Sequence, residues 1–477
     1  MILCAEENVQ GSHGAAIGEL DEETLFYFGA RGMDRTQAEN TMARAKLEAK
    51  IQKIGDADIE QKVKTQLAEV LDRDNRNIRK NFPLLQQMDT IYLDNAATAQ
   101  RPSCVLVAVQ EFYEQKNANP LRGFYPLSLE ATESYQEARK TVQEFIHAEE
   151  PEEIIFTRNT TESLNLVAYS YGLNFLKEGD EIAVTIMEHH SNLLPWQMVS
   201  RMTGAKLHYL ECTSEGELTD EELQKGINER TRLVAVTQVS NVLGCVNPIQ
   251  KITEMAHRVG AVVVVDGAQS VPHMPVDVQA LDADFLAFSG HKLMGPMGIG
   301  CLYGKRELLE KMPPFLTGGE MIDSVYRDGA VFAPVPQKFE AGTVNAAGAV
   351  GLAAAIRYLQ EKGFDYIQKK ELELTQRAME GLGALPYVHI LGSKDPANHT
   401  GIVSFTIDGV HPHDVSEILS SDGIDVRAGH HCAQPLLEYL GVRSSTRASM
   451  MFYNTPEEID ALIESVSTIR RRMGYGE

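Results

Sequence analysis

The chain is 477 residues long, 43% apolar and 23% charged, an ordinary composition for a soluble globular protein with room for two or three domains. Its 44 basic residues face 67 acidic ones, and the resulting net charge of -23 repels nucleic acid and anionic membrane surfaces. No apolar run approaches the roughly 20 residues of a membrane span, the start (MILCAEEN) lacks a basic signal-peptide head, and six scattered cysteines form no C-x-x-C pair, so a cytoplasmic protein with reduced thiols and no metal site is expected.

Residues 1–75 read as a small helical module. Leu20-Asp21-Glu22-Glu23 opens a short helix that Gly32 closes, and Asp34 starts another. Ala43, Leu47, Ile51 and Ile54, then Ile59, Val63, Leu67 and Leu71, recur at three- and four-residue steps, the mark of two amphipathic helices split at Gly55-Asp56. The polar run 72–80 (DRDNRNIRK) reads as a connector.

From Ile91 onward, short aliphatic runs alternate with helical periods, the pattern of a βαβ series and a largely parallel sheet. The runs fall at 153–156, 182–187, 233–238, 262–265 and 285–288. Polar clusters follow them: Thr160-Thr161, Glu188-His189-His190, Ser240-Asn241, Asp266 to Gln269, and Ser289 to Lys292. The carboxyl ends of strands in an open α/β sheet line the ligand crevice, so these clusters are expected to converge on one site. Beyond Gly342 a long helix (346–361) leads to a smaller unit with strands at 401–407 and 424–426, a helix near 414–420 and a last amphipathic helix from Pro456. The expected division is a helical segment 1–75, a large domain 76–345 and a small domain 346–477, with the first part of 76–100 free to pack against the small domain.

A buried strand ending in Asp266 and another ending in Ser289-Gly290-His291-Lys292 supply the parts that handle pyridoxal phosphate: a carboxylate for the pyridinium nitrogen and a lysine for the imine. The plain alternative is that Asp266 caps a helix and Lys292 is a solvated loop residue. Thr160-Thr161 stands at the start of a helix, where free N–H groups and the helix dipole favour a phosphate, although an ordinary N-cap threonine has the same pattern. In Arg427-Ala428-Gly429-His430-His431-Cys432, two imidazoles and an arginine lie close to a thiol, surroundings that can lower its pKa.

Taken together, LDNAAT (93–98), FTRNTTESLNLVA (156–168), MEHHSNLLPWQ (187–197), QVSNVLG (238–244), VDGAQS (265–270), FSGHKLMGPMGIG (288–300), FEAGT (339–343), RAGHHCAQP (427–435) and TRAS (446–449) resemble the SUF-type cysteine desulfurases, of the class V aminotransferase-like group of pyridoxal-phosphate enzymes. The resemblance runs from about Ile78 to the last residues, with the motifs in family order. It implies an α/β protein of PLP-dependent transferase fold type I, with a large, mainly parallel domain and a small C-terminal α+β domain. It also implies a homodimer that takes sulfur from L-cysteine. Lys292 would hold the cofactor as a Schiff base, Asp266 would pair with the ring nitrogen, His189 would stack on the ring, and Gln269 would sit by its phenolic oxygen. Thr161, Ser289 and His291 would hold the phosphate, with Thr343 reaching in from the neighbouring subunit. Asn241 and Arg447 would bind the amino-acid end of the substrate, with Arg427 a second arginine of the same site. Cys432 falls on the persulfide-forming cysteine, whose sulfur would pass to a SufE- or SufU-like acceptor and the SUF scaffold. Where many relatives carry histidines around Arg122-Gly123, this chain has Leu121 and Tyr125.

The N-terminal stretches NVQGSHGA (8–15) and LDEETLFYFGARGM (20–33) resemble the C-terminal tail of the D subunit of the SUF scaffold, with His13 on a histidine that the family places at a subunit interface. Two further readings stay open at this point. One is a selenocysteine lyase, which shares the ring chemistry. The other is an assembly-scaffold subunit whose enzyme domain serves as a docking platform.

Overall fold

The computed structural model describes residues 78–475. The expected helices of 1–75, and His13, lie outside the described residues. At the end of the polar run read as a connector, Ile78–Asn81 forms a single 3-10 turn that reaches one residue past it.

After a short strand β1 (Ile91–Tyr92), the chain builds a seven-stranded sheet from β2 (Ile154–Thr157), β3 (Glu181–Thr185), β4 (Lys206–Leu210), β5 (Thr231–Thr237), β6 (Val262–Asp266), β7 (Phe285–Ser289) and β8 (Gly300–Gly304), in the order β2-β8-β7-β6-β5-β3-β4. The pairs from β4 to β7 are parallel, and β8 runs antiparallel to both β7 and β2. Parallel strands covered on both faces must be apolar throughout, and this is why β3, β5, β6 and β7 stand out as aliphatic runs in the sequence. The edge strand β4 (KLHYL) is exposed at its start and only half-buried through its middle, so its sequence carries no such run. β8 (GCLYG) is fully buried but bounded by glycines, one of which is required by packing. A Cβ on Gly300 would come within 2.6 Å of the Asn159 Cα, so only glycine lets β8 lie against the start of the helix Thr160–Val167.

Two exposed strands, β9 (Ile322–Val325) and β10 (Ala330–Phe332), make a hairpin that the sequence reading did not anticipate. The last third of the described chain forms a four-stranded antiparallel sheet. Its strands are β11 (Val388–Ile390), β12 (Ile402–Ile407), β14 (Arg427–Gly429) and β15 (Ser445–Ser449), in the order β11-β12-β15-β14. The strand between them, β13 (Ile424–Asp425), pairs in parallel with β1. Helices Phe364–Gly383 and Pro412–Ser421 pack on this smaller sheet, and Pro456–Arg472 packs on those two helices. The last of them starts where Pro456 predicted, held by a capping box in which Thr455 and Glu458 each bond the other's backbone N–H. The long helix Ala346–Lys362 packs instead on the helices Ser103–Gln115 and Pro126–Phe145.

A buried ion pair ties the helix Pro126–Phe145 to the FEAGT loop. Arg139 donates from Nη1 to Glu340 Oε1 and from Nη2 to Oε2, both at 2.8 Å. Tyr135 Oη and the Phe156 N–H complete the carboxylate's donors at 2.9 and 2.8 Å. Removing one member of such a pair strands the other charge away from water. Arg139→Met is therefore expected to cost about 3–5 kcal/mol of stability. Denaturant unfolding of the variant beside the wild type measures this, and a change under about 1 kcal/mol would show that Glu340 finds another partner or a proton at little cost.

Candidate active site

Sequence order decides what stands at the carboxyl edge of the large sheet. β6 ends in Asp266, and β7 ends in Ser289 and runs straight into the turn Gly290–Lys292. Asp266 is buried, and its Oδ1 accepts from the Ala268 N–H at 2.9 Å. Burial raises its pKa, while the Ala268 N–H and the charge of Lys292 oppose the rise. Lys292 is pushed the other way, down to about 8, because burial disfavours the ammonium and Arg447 repels it, against the attraction of Asp266 and Cys432. The modest alternative for Asp266 is thus met in part, since it does cap a turn, but Lys292 is not a solvated loop residue.

Around this pair the other strand ends converge. His189 begins the turn after β3, and its Nδ1 accepts from the Ser191 N–H at 3.1 Å, which places the remaining ring proton on Nε2. Burial and the nearby Lys292 lower its pKa to about 3, so the ring is neutral. Gln269 donates from Nε2 to the Ala96 carbonyl at 2.9 Å and leaves a buried Oε1 without a partner among the described residues. The helix Thr160–Val167, capped by Asn159, presents its N-terminus beside Ser289, whose hydroxyl accepts from the Thr160 N–H at 2.8 Å. Thr161 is exposed at this terminus and shares a 2.8 Å hydrogen bond with Ser191. His291 is half-buried, with its pKa lowered to about 4 by burial and by the neighbouring Lys292 and Arg101.

The smaller sheet contributes the cations. Arg447 on β15 and Arg427 on β14 are direct cross-strand partners. Arg447 is buried and donates from Nη1 to the Asn241 carbonyl at 2.9 Å. Arg427 is exposed and grips Asp94 through Nε at 3.1 Å and Nη2 at 2.7 Å. Asn241 in turn donates from Nδ2 to the His431 carbonyl at 2.7 Å, and the His190 N–H donates to the Cys432 carbonyl at 2.7 Å. The cysteine loop is thereby fastened to the ends of β3 and β5. His431 and Cys432 both adopt left-handed backbone, with φ of 52° and 56°, a conformation that costs each side chain steric strain and holds the exposed thiol at the loop's crest.

One expectation about this loop needs correction. The His431 imidazole turns inward, with Nε2 at 2.9 Å from the Ser445 hydroxyl, and burial lowers its pKa to about 3. It is neutral and supplies no positive charge to the thiol. The cations near enough to act with Cys432 are Lys292, Arg427 and Arg447. Thr343 also stands apart from the cluster in this chain: it is exposed and lines a surface hollow of about 350 Å³ with Phe112, Tyr113 and Pro120.

The sequence reading gave no role to two residues that the geometry places at the site. Asp94, in LDNAAT, meets both arginines. Glu188, directly before His189, is buried and accepts from the Thr185 hydroxyl and Asn192 Nδ2 at 2.6 Å and from the Thr237 N–H at 2.9 Å. The rest of LDNAAT forms a seam. Asn95 donates to the Ser449 carbonyl, and the Thr98 hydroxyl and the N–H of Ala99, just after the motif, donate to the His291 carbonyl, so one segment joins the small sheet to the Lys292 turn.

A lysine and a buried carboxylate within electrostatic reach of each other, a helix N-terminus flanked by hydroxyls and a buried amide oxygen without a partner among the described residues form a cradle of the right chemistry for pyridoxal phosphate. Fold and site define a PLP-dependent enzyme of the transferase type. Residues 91–462 match the family described as Aminotransferase class-V, to which the chain belongs. It is 50% identical over 402 residues, 83% of this chain and 98% of the other, to a "Probable cysteine desulfurase" of Halalkalibacterium halodurans. The apo structure of the cysteine desulfurase from Thermococcus onnurineus superposes with a TM-score of 0.80 at 44% identity, over 83% of this chain and 98% of that one. A cysteine desulfurase of Escherichia coli, solved in an S-sulfonic acid form, gives 0.77 at 41% identity, over 83% and 98%. The chain is a PLP-dependent cysteine desulfurase. Residues 1–46 match a second family, described as SUF system FeS cluster assembly, SufBD core domain.

Glu188 gives this site a measurable pH signature. Burial raises its pKa to about 8 and Asp266 adds to the rise, against the three donors that favour the anion. A carboxyl with a raised folded-state pKa contributes stability in its protonated form, fully present below about pH 4 and lost as pH rises through about 8. Glu188→Gln is expected to abolish this component. Between pH 5 and 9 the wild type should lose a few kcal/mol, on the order of 1.4 per unit of pKa shift, relative to the variant. Parallel melting curves across that range test it, and a constant difference between the two proteins would refute it.

Proposed function

We propose that the cluster around Lys292 removes sulfur from L-cysteine, leaves it on Cys432, and serves iron–sulfur cluster assembly. The observation that carries the site assignment is the convergence of Lys292, Asp266, Arg447 and Cys432 within charge-coupling reach. When bound, pyridoxal phosphate supplies an electron-withdrawing ring that weakens bonds at the substrate carbon.

Asp266, buried at the end of β6, would hold a protonated ring nitrogen, and Thr161, Ser289 and His291 would hold the phosphate by the N-terminus of the helix Thr160–Val167. Neutral His189 offers an uncharged ring face, and Gln269 a hydrogen-bonding amide. Arg447 and Asn241 hold the carboxylate end of L-cysteine, with Arg427 beside them. Lys292 Nζ, with its pKa lowered to about 8, takes the proton from the substrate Cα. Cys432 Sγ then attacks the substrate sulfur. The S–S bond forms as the Cβ–S bond breaks, the bonding pair stays with Cβ, which takes up a proton, and Lys292 returns a proton to Cα, so that L-alanine leaves. The sulfur remains on Cys432 as a persulfide.

The match at 1–46 supports a link to the SUF system, with a SufE- or SufU-like acceptor. Exposed Leu106, Val107, Tyr113, Phe124, Tyr125 and Leu127 support a homodimer, in which Thr343 would reach the partner's phosphate position. Among the described residues no helix is long and apolar enough to cross a membrane, which suits a cytoplasmic enzyme.

Lys292→Ala is expected to abolish both turnover and the visible absorbance of the bound cofactor. Cys432→Ser should keep that absorbance and lose L-alanine release by at least about 100-fold, because a hydroxyl is a poor nucleophile toward sulfur. Normal L-alanine release by either variant would reject its assignment. A chain starting near Asp74 should match the full chain in L-alanine release with a small-molecule reductant and deliver sulfur more slowly to scaffold proteins. Equal delivery would reject a docking role for residues 1–75, and lost basal turnover would reject the boundary.

A further inference from the structure

The two site arginines pose an electrostatic problem. They face each other directly across β14 and β15, and each disfavours the other's charge. Asp94 is the carboxylate between them, fixed by a bridge from its backbone to Ser449 on β15. It does not divide itself equally. Arg427 reaches it with Nε at 3.1 Å to each oxygen and Nη2 at 2.7 Å, a fork-like grip, whereas Arg447 touches it only at 3.4 Å. Arg447 keeps an unused donor as well: its Nε is buried and has no partner among the described residues. A buried guanidinium with an idle N–H, next to an acid already committed elsewhere, is poised for one more carboxylate.

We propose that Asp94 is a positioning and specificity-determining residue that neutralises Arg427 and leaves Arg447 the less balanced of the two arginines, so that the site accepts one substrate carboxylate. The proposal rests on the assignment of Arg447 to the substrate carboxylate. On this account Arg427 acts on substrate through Asp94. It keeps that acid turned away from Arg447; without Arg427, Asp94 swings to Arg447 and competes with the substrate.

The test uses L-alanine, the product, as a carboxylate probe, with its affinity for the cofactor-loaded full-length enzyme measured by the shift in visible spectrum and the fold checked by melting temperature. Asp94→Asn leaves two unbalanced cations and should bind L-alanine about five- to tenfold more tightly, with KM for L-cysteine falling in the same direction. Asp94→Glu, which keeps the charge, should stay within about threefold of wild type. Arg427→Gln should weaken L-alanine binding, and adding Asp94→Asn to it should restore affinity at least about fivefold over the single variant. Recovery in the double variant supports the proposal even if Asp94→Asn alone does not fold. The proposal is overturned if Asp94→Asn folds and binds L-alanine no more tightly, or if the double variant is no better than Arg427→Gln. Failure of the underlying assignment has a separate signature: Arg447→Lys would then leave L-alanine affinity unchanged.

Discussion

The structure turns on a buried guanidinium. Arg447 sits in the middle of the smaller sheet with its side chain only 3% exposed, and such a charge is tolerated only where oxygen acceptors meet it. Those acceptors come from two distant parts of the chain, the Asn241 carbonyl beyond β5 and the Asp94 carboxylate after β1. Meeting one cation even in part therefore brings the small sheet, the large sheet and the LDNAAT segment together at one point. The cysteine loop is fixed from the same place, because Asn241 bonds the His431 carbonyl.

Polarity at the site is graded by depth. At the strand ends, burial pushes carboxyls toward neutrality and amines toward deprotonation, as the opposite shifts of Glu188 and Lys292 show. His189, His291 and His431 are all neutral for the same reason. Permanent positive charge is left to the arginines, which hold theirs at any ordinary pH, whereas Lys292 gives up its own near pH 8. The result is a cleft where proton-moving groups lie inward and permanent charge lies along the side formed by the small sheet.

Much of this was legible in the sequence because burial on both faces leaves a one-dimensional trace. β5, β6 and β7 appear as aliphatic runs, and the polar residues directly after them are the ones that meet at the site. What was not legible depends on partners far away in the chain or on backbone shape. β4 lacked an apolar run because it is an edge strand, and the β9–β10 hairpin is too exposed to leave a burial pattern. Asp94 could be quoted as part of a motif, but its ion pairs exist only once β14 and β15 are beside it. The imidazoles beside Cys432 suggested two cations, and only the folded loop shows one of them turned inward to Ser445. Left-handed backbone at His431 and Cys432 was equally hidden, since neither residue type signals it as glycine would.

The seam through Asp94 has a consequence for how the enzyme comes into being. Asp94 and Arg447 are 353 residues apart, and among the described residues β1 pairs as a strand with β13 alone. Contacts of such long range come late, after the entropy of closing the intervening chain has been met. During synthesis the large sheet can therefore assemble on the ribosome with Lys292 already near Asp266, while the arginines and the thiol are still unmade. A nascent chain at that stage has the groups for a cofactor before it has those for a substrate, so the order of translation separates readiness to load from readiness to react.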